Sequence, residues 1–343
     1  MIETVRLGAK GLIGEASRAQ YKVPCLLLTI CWALCFGAAA AKAQSSDETA
    51  RSNTKKASTA SKPAPDTFTL VGAGDIAGCA NLPGAAATAR LIEKIPGTVF
   101  AAGDLAYEDG SAFDFERCYG PTWGKFKDRT RPALGNHEYL TAHAAPYFRY
   151  WGAQAGPFGE GYYSYDLGSW HIIVLNTDCS RTDVGGCGEG APEETWLRND
   201  LAAHPYACVV AYGHYAMYSS GIFSWHARHT ELRTFWEDLY AAHADLMLSG
   251  HEHSYERFAP QDPRGHSDPE HGIRQITVGT GGRSHTVLGI PQPNSEVRND
   301  NTYGVLKLTL SPGKYSWEFV PEKGKTFRDS GEGTCHNASN ETK

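Results

Sequence analysis

The chain has 343 residues, 41% hydrophobic and 20% charged, with a formal net charge of −6. That length suits one large domain or two modest ones, and the composition is that of an ordinary globular protein. The negative balance, with no basic cluster beyond Lys55-Lys56, excludes nucleic acid as an expected partner. In chain order, Arg6, Lys10, Arg18 and Lys22 precede an apolar stretch over 23–41 that ends in the A-x-A pattern Ala41-Lys42-Ala43. This reads as a secretory signal over 1–43, cleaved before Gln44. The competing reading is a retained membrane anchor, since the apolar run is about as long as a membrane span. Residues 44–66, rich in Ser, Thr, Ala, Lys and Pro, bury no core and read as a flexible linker.

The catalytic domain is expected over 67–322. An apolar run at 67–73, a helical pattern at 85–95 and a second run at 98–102 follow βαβ logic, which implies parallel strands in a sheet covered by helices. Further strands are expected at 161–166, 171–176, 207–212, 245–248 and 274–278, and helices at 193–203 and 230–242. An antiparallel pair at 303–310 and 314–320 turns at Ser311-Pro312-Gly313. The fold class is therefore mixed α/β. The polar segment 323–343 reads as a loosely ordered C-terminal tail. Trp123, Trp151 and Trp170 read as packing residues.

Of nine cysteines, Cys25, Cys31 and Cys35 fall in the signal segment. The even remainder in an exported chain suggests disulfides. Cys179 and Cys187 are spaced to close a small loop, and Cys79 and Cys118 to tie two site segments together. Cys208, inside an apolar run, reads as a buried thiol. Asn337-Ala338-Ser339 and Asn340-Glu341-Thr342 match glycosylation sequons.

Five apolar runs end in glycine followed by a polar residue. These ends are Gly74-Asp75, Gly103-Asp104 with Tyr107 three residues on, Gly135-Asn136-His137-Glu138, Gly213-His214 and Gly250-His251-Glu252-His253. In α/β sheets, ligands sit outside the carboxyl ends of the strands. Each glycine is expected to let the chain turn off its strand and aim the next side chain across the sheet edge. Oxygen and imidazole donors suit di- or trivalent first-row metals, and the lack of thiolates excludes a structural zinc site. The donors outnumber what one ion needs, which points to two ions sharing a carboxylate.

Five such ends in this order resemble the signature of the calcineurin-like metallophosphoesterases. Gly103-Asp104-Leu105-Ala106-Tyr107 and the run Gly250-His251-Glu252-His253-Ser254-Tyr255-Glu256-Arg257 resemble, within that superfamily, the purple acid phosphatases. The resemblance covers about residues 67–285. It implies a four-layer α/β/β/α sandwich with two mixed sheets and a binuclear metal site at the C-terminal ends of the strands. Carried over, Asp75, Asp104, Tyr107 and His253 would hold Fe(III). Asp104 again, Asn136, His214 and His251 would hold a divalent ion, Zn, Fe or Mn. The resemblance implies a phosphorylated small-molecule substrate, hydrolysed as a monoester by a metal-bound hydroxide, with an imidazole protonating the leaving alcohol. His137 is the candidate for phosphate contact. His226 lies where the family keeps a second-shell histidine, with His229 as its alternative. Glu138 is expected to orient a neighbour, Glu256 and Arg257 to form a buried salt bridge, and Gly279-Thr280-Gly281-Gly282 is a weak candidate to face the phosphate. Only the linker lies between signal and domain, which resembles the compact form without an N-terminal β-sandwich. A cleaved signal implies a secreted or periplasmic protein with no stable membrane association; the oligomeric state is left open. Two rivals stand beside this reading: a phosphodiesterase or nucleotidase with the same metals, and an inactive metal-binding surface protein.

Overall fold

The computed structural model describes residues 67–181, 183–205, 207–222 and 229–337. The signal, the linker, His226 and the second sequon lie outside the described residues.

The chain opens with β1 (Phe68–Ala73), the two-residue β2 (Ala77–Gly78) and α1 (Leu82–Ile92), followed by β3 (Thr98–Ala102) and β4 (Ala106–Tyr107). A short α2 (Ala112–Asp114), β5 (Thr130–Ala133) and α3 (Ala145–Trp151) come next. The middle of the chain gives β6 (Tyr163–Leu167), β7 (Trp170–Val174), α4 (Pro192–Ala203), β8 (Cys208–Tyr212), α5 (Arg233–Ala241) and β9 (Leu246–Ser249). The remaining strands are β10 (Tyr255–Phe258), β11 (Arg274–Val278), β12 (Ser295–Asn299), β13 (Gly304–Ser311), β14 (Lys314–Pro321) and β15 (Ser330–Thr334).

These form a six-stranded sheet, ordered β15-β14-β13-β1-β3-β5, and a seven-stranded sheet, ordered β12-β10-β11-β9-β8-β7-β6. Both are mixed. β1, β3 and β5 run parallel while β13 meets β1 antiparallel; β7, β8, β9 and β11 run parallel in the other sheet. Strands buried on both faces must be apolar throughout. Leu70, Val71, Val99, Phe100, Val209, Val210, Leu246 and Leu248 meet that demand and are buried. The sheets pack face to face. The Phe100 and Tyr212 rings lie 5.6 Å apart across the interface, the Tyr212 hydroxyl donates to the Arg131 carbonyl, and Trp170 donates from its indole to Ser311. α1 covers the first sheet and α4 with α5 the second, giving the four layers that the resemblance implied.

Three expectations change. Cys208 is no free thiol but is bonded to Cys335, 127 residues on; Cys79–Cys118 and Cys179–Cys187 are the other bridges. The segment after Glu322 is no loose tail. β15 adds a strand to β14, and Asp329 is buried, accepting from Trp317, Tyr255 and Arg257. Its polar composition misled because the burial is carried by a single carboxylate and a disulfide. Glu256 and Arg257 do not pair with each other, since neighbours on a strand face opposite sides. Glu256 accepts from Ser220 and Ser295, whereas Arg257 pairs with Asp329 and Glu296. Asn337 of the first sequon is buried and donates its amide to Ala207. Trp123, Trp151 and Trp170 are core residues, as read.

One buried cluster away from the strand ends makes stability depend on pH. His171 of β7 lies between Asp166, 2.8 Å from Nδ1, and Asp200 of α4, 2.8 Å from Nε2; its ring stacks on His204. Burial opposes the imidazolium, but the hydrogen bonds and charges of Asp200 and Asp166 outweigh it and hold His171 above its ordinary value of 6.5. Burial likewise opposes the Asp200 carboxylate, yet its bond to His171 holds it below the usual range. The folded protein therefore keeps a proton that the unfolded chain releases near pH 6.5. The stabilisation from His171 is full below that pH and is lost as pH climbs through the raised value, while the Asp200 contribution persists until pH falls through its lowered value. Thermal melts should show a higher Tm near about pH 5.5 than near about pH 8, and His171→Asn should flatten that difference. Parallel pH profiles for the variant and the parent would refute the assignment.

Candidate metal centre

The expected strand ends converge where the two sheets meet. β1, β3 and β5 deliver Asp75, Asp104 and Asn136 from one sheet; β8 and β9 deliver His214, His251 and His253 from the other. The Tyr107 hydroxyl lies 2.9 Å from Asp75 Oδ1 and 2.9 Å from Asp104 Oδ2, and 3.2 Å from His253 Nε2. His253 Nε2 is also 3.2 Å from Asp75 Oδ1. On the other side of Asp104, Oδ2 lies 3.3 Å from His214 Nε2. Asn136 Oδ1 is 3.1 Å from both His214 Nε2 and His251 Nδ1, and these two nitrogens are 3.3 Å apart. Two four-donor groups result, and Asp104 Oδ2 belongs to both. All seven predicted ligand residues are brought together.

The donor set fits cations. His214 Nδ1 lies 2.9 Å from the Ala102 carbonyl, an acceptor, so Nδ1 carries the proton and Nε2 presents its lone pair to the cluster. That lone pair, the Asn136 carbonyl oxygen and His251 Nδ1 then face one another at hydrogen-bond distance, which a shared cation satisfies. The protonation energetics agree. Burial alone would lower His214, yet the Asp104 carboxylate pushes it up to about 10, so without an ion Nε2 takes up a proton that a cation would displace. Burial and then the His214 charge push His251 down to about 3. Burial, with Asp104 and Asp75 beside it, drives the Tyr107 phenol well above its ordinary range. The pocket thus asks for positive charge, and the Tyr107 phenol would ionise there only with a cation bound in place of its proton.

Gly103, with φ of 75°, turns the chain off its strand as expected, but the glycines before Asp75, Asn136, His214 and His251 serve the site differently. The proposed ligand residues Asp75, Asp104 and His251 take left-handed backbone themselves, with φ of 59°, 52° and 68°. Non-glycine residues hold that conformation only where surrounding contacts enforce it, and it is common at functional sites. Gly250 instead makes room. A Cβ there would sit 2.7 Å from Asp75 Oδ2 and 2.7 Å from the Ala102 carbonyl oxygen. The Gly279–Gly282 run is also a packing element, with Gly279 against Asp75 and Glu252, and Gly281 donating its N–H to Gly74.

Glu138 orients neighbours, as expected. It is fully buried and accepts backbone N–H bonds from Asp104, Leu105, Ala106 and Gly135 at 2.8–3.3 Å. Burial pushes its carboxyl up to about 8, with Asp104 adding to the rise and the N–H donors opposing it. His137 stands at the open side, 28% exposed, with Nε2 3.8 Å from Asp104. Its N–H donates to Asp104 Oδ1, and its Nδ1 meets the Glu108 carbonyl. His229 stacks on Tyr215 at 3.9 Å and lies 5.6 Å from the His251 ring; its Nε2 is buried with no partner among the described residues.

Several contributors were missed. Thr177, past the end of β7, accepts from the His214 and Tyr215 N–H groups through its hydroxyl. Ser284 lies 2.5 Å from His253 Nδ1, and Arg283 stacks on Tyr107. Only the apolar run before Asn176-Thr177-Asp178 hinted at a sixth strand end here. Ser284 carried no signal at all.

Two mixed sheets packed face to face, with carboxylates, imidazoles and a phenol gathered at their parallel-strand ends, define the architecture of a metallophosphoesterase. The family comparison agrees: the model described as calcineurin-like phosphoesterase matches residues 68–255, just over half of the chain, and the protein belongs to that family. Among curated relatives, it is 28% identical over 248 residues to probable purple acid phosphatase 20 of Arabidopsis thaliana, covering 63% of this chain and 53% of that protein. The chain thus spans about half the length of that relative. Among solved structures, purple acid phosphatase PPD1 from yellow lupin seeds superposes with a TM-score of 0.60 at 18% identity, over 79% of this chain and 55% of that one. GAP50, the anchor in the inner membrane complex of Plasmodium, gives 0.60 at 13% identity, over 78% and 89%. At these identities the two superpositions establish the fold alone. Similarity to purple acid phosphatases implies a binuclear metal centre. Among the described residues no helix is long and apolar enough to cross a membrane.

Proposed function

We propose that the protein is a secreted binuclear-metal phosphatase acting on phosphate monoesters. The reading is carried by Tyr107, a phenol lying within 3.2 Å of two carboxylates and an imidazole. Phenolate and carboxylate are hard anionic donors that suit a trivalent ion. Asp75, Asp104, Tyr107 and His253 would hold Fe(III); Asp104, Asn136, His214 and His251 would hold Zn, Fe or Mn in the divalent state. When bound, the pair supplies positive charge to the phosphoryl oxygens and makes water nucleophilic near neutral pH.

The chain's own residues do the rest. Glu138 holds the Asp104 backbone so that its shared oxygen stays between the two donor groups. Ala102 and Ser284 fix the ring orientations of His214 and His253. His137, on the exposed side beside Asp104, contacts the phosphate. Protonation of the leaving alcohol falls to His226 or His229. Of the two, His229 is the one among the described residues, and its unpartnered Nε2 beside His251 supports it. The three disulfides suit an oxidising compartment and support export.

The test is a visible spectrum with metal analysis of the purified protein, alongside assays on phenyl phosphate and a bis-phenyl diester. A broad band in the green to yellow region, lost in Tyr107→Phe, together with preference for the monoester, is the expected result. A colourless protein with two bound metals would remove iron and Tyr107 from the site. Faster diester turnover would favour the phosphodiesterase alternative.

A further inference from the structure

Arg283 belongs to none of the ligand motifs, yet it is built tightly against Tyr107. Its guanidinium carbon lies 4.9 Å from the centre of the Tyr107 ring. Nη2 donates to both carboxylate oxygens of Glu108, at 2.6 and 2.8 Å. The backbone is pinned as well: the Arg283 N–H donates to the Asp75 carbonyl, and Asn81 donates its amide to the Arg283 carbonyl. The side chain reaches the ring by crossing Gly78, the residue paired with Tyr107 in the β2–β4 ladder. A Cβ at Gly78 would sit 3.0 Å from Arg283 Cδ. The rings packed near Tyr107 are the titratable imidazoles of His137 at 4.3 Å and His253 at 6.0 Å, and the carboxylates of Asp75 and Asp104 meet its hydroxyl. Arg283 is the permanent cation among them.

We propose that Arg283, stacked on Tyr107 and clamped by Glu108, is a positioning residue that sets how strongly the Tyr107 phenolate donates to iron. This rests on the reading of Tyr107 as the iron ligand. A cation over an aromatic face attracts the ring's π electrons, and a phenolate face is richer in them than a phenol. The attraction lowers the filled donor orbital. Light absorption in a tyrosinate–Fe(III) pair moves an electron from that orbital to the metal, so a lower donor orbital means a larger gap and a shorter wavelength. Weaker donation also favours Fe(III) less, which raises the iron potential. Glu108 offsets part of the charge while holding it in place.

The test uses the full-length iron-loaded protein and reads the band maximum, the intensity per iron and the iron potential. In Arg283→Met the maximum should move to longer wavelength with intensity per iron retained, and the potential should fall. Arg283→Lys should return the maximum part of the way. Glu108→Gln, which leaves the guanidinium in place but removes its counter-charge, should move the maximum to shorter wavelength. That variant carries the test if Arg283→Met fails to fold. A merely structural staple would lose iron or band intensity with the maximum unmoved, and that result in both variants overturns the proposal. If the parent band is present and abolished by Tyr107→Phe while the maxima of Arg283→Met and Glu108→Gln stay unmoved, the proposal alone falls. If the parent holds two metals without colour, the iron reading falls and the proposal with it.

Discussion

Asp104→Asn is expected to lower phosphatase turnover by on the order of 10³-fold, several kcal/mol of lost transition-state stabilisation, and to leave the dialysed protein short of its full metal complement. Asp104 Oδ2 faces both donor groups, toward Tyr107 and toward His214. An amide in its place removes the one negative charge common to both. Rotating the amide does not help. One orientation sets an NH₂ against His214 Nε2, the lone pair needed for an ion. The other sets it against the His137 N–H, which now donates to Asp104 Oδ1. Metal analysis after dialysis, paired with steady-state kinetics, decides the matter. Two retained metals with turnover within about tenfold of the parent, a change of only about 1.4 kcal/mol, would remove Asp104 from the shared position.

Above about pH 8, where the raised Glu138 carboxyl is ionised, Glu138→Gln is expected to destabilise the fold by about 3 kcal/mol, with a fall in Tm of roughly 6–12 °C for a domain of this size. Oε2 accepts from the Asp104 and Gly135 N–H groups, and Oε1 from Leu105 and Ala106. A glutamine keeps one acceptor and turns the other into a donor that confronts two buried N–H groups. Each buried donor left without a partner costs about 1–3 kcal/mol. Because all four bonded residues carry or flank proposed ligands, metal affinity should fall as well, by about 10–100-fold as for other supporting residues of metal sites. A Tm within about 2 °C of the parent, below 1 kcal/mol on this scale, would show that the backbone bonds are dispensable.

The residues that the structure brings together at the strand ends were legible in the sequence because the segments that carry them follow apolar runs whose ends are marked by glycine. The function of those glycines was not legible. A sequence does not show that Asp75 and the Ala102 carbonyl crowd Gly250, since both belong to strands distant in the chain. Supporting residues were harder still. Ser284 and Arg283 act through partners far away in the chain, and a serine or an arginine after a Gly-Gly pair looks like any loop. The C-terminal strand was missed because β15, reading Ser-Gly-Glu-Gly-Thr, has no apolar alternation. It is held by the β14 ladder and by Cys335, neither of which a local pattern displays. Cys208 was misread for the same reason: its partner lies 127 residues away.

The place of β13 between β1 and β14 bears on how the protein is made. β1 pairs with β3 on one side soon after both leave the ribosome. Its other flank waits for β13, with Phe68 opposite Leu310. At ordinary synthesis rates that interval is on the order of tens of seconds. Through it the nascent chain carries a bare strand edge of Phe-Thr-Leu-Val-Gly-Ala, a template for pairing with any other extended chain. Stopping synthesis between His253 and β13 would therefore yield an aggregating fragment rather than a smaller enzyme, even though every proposed metal ligand has already been made.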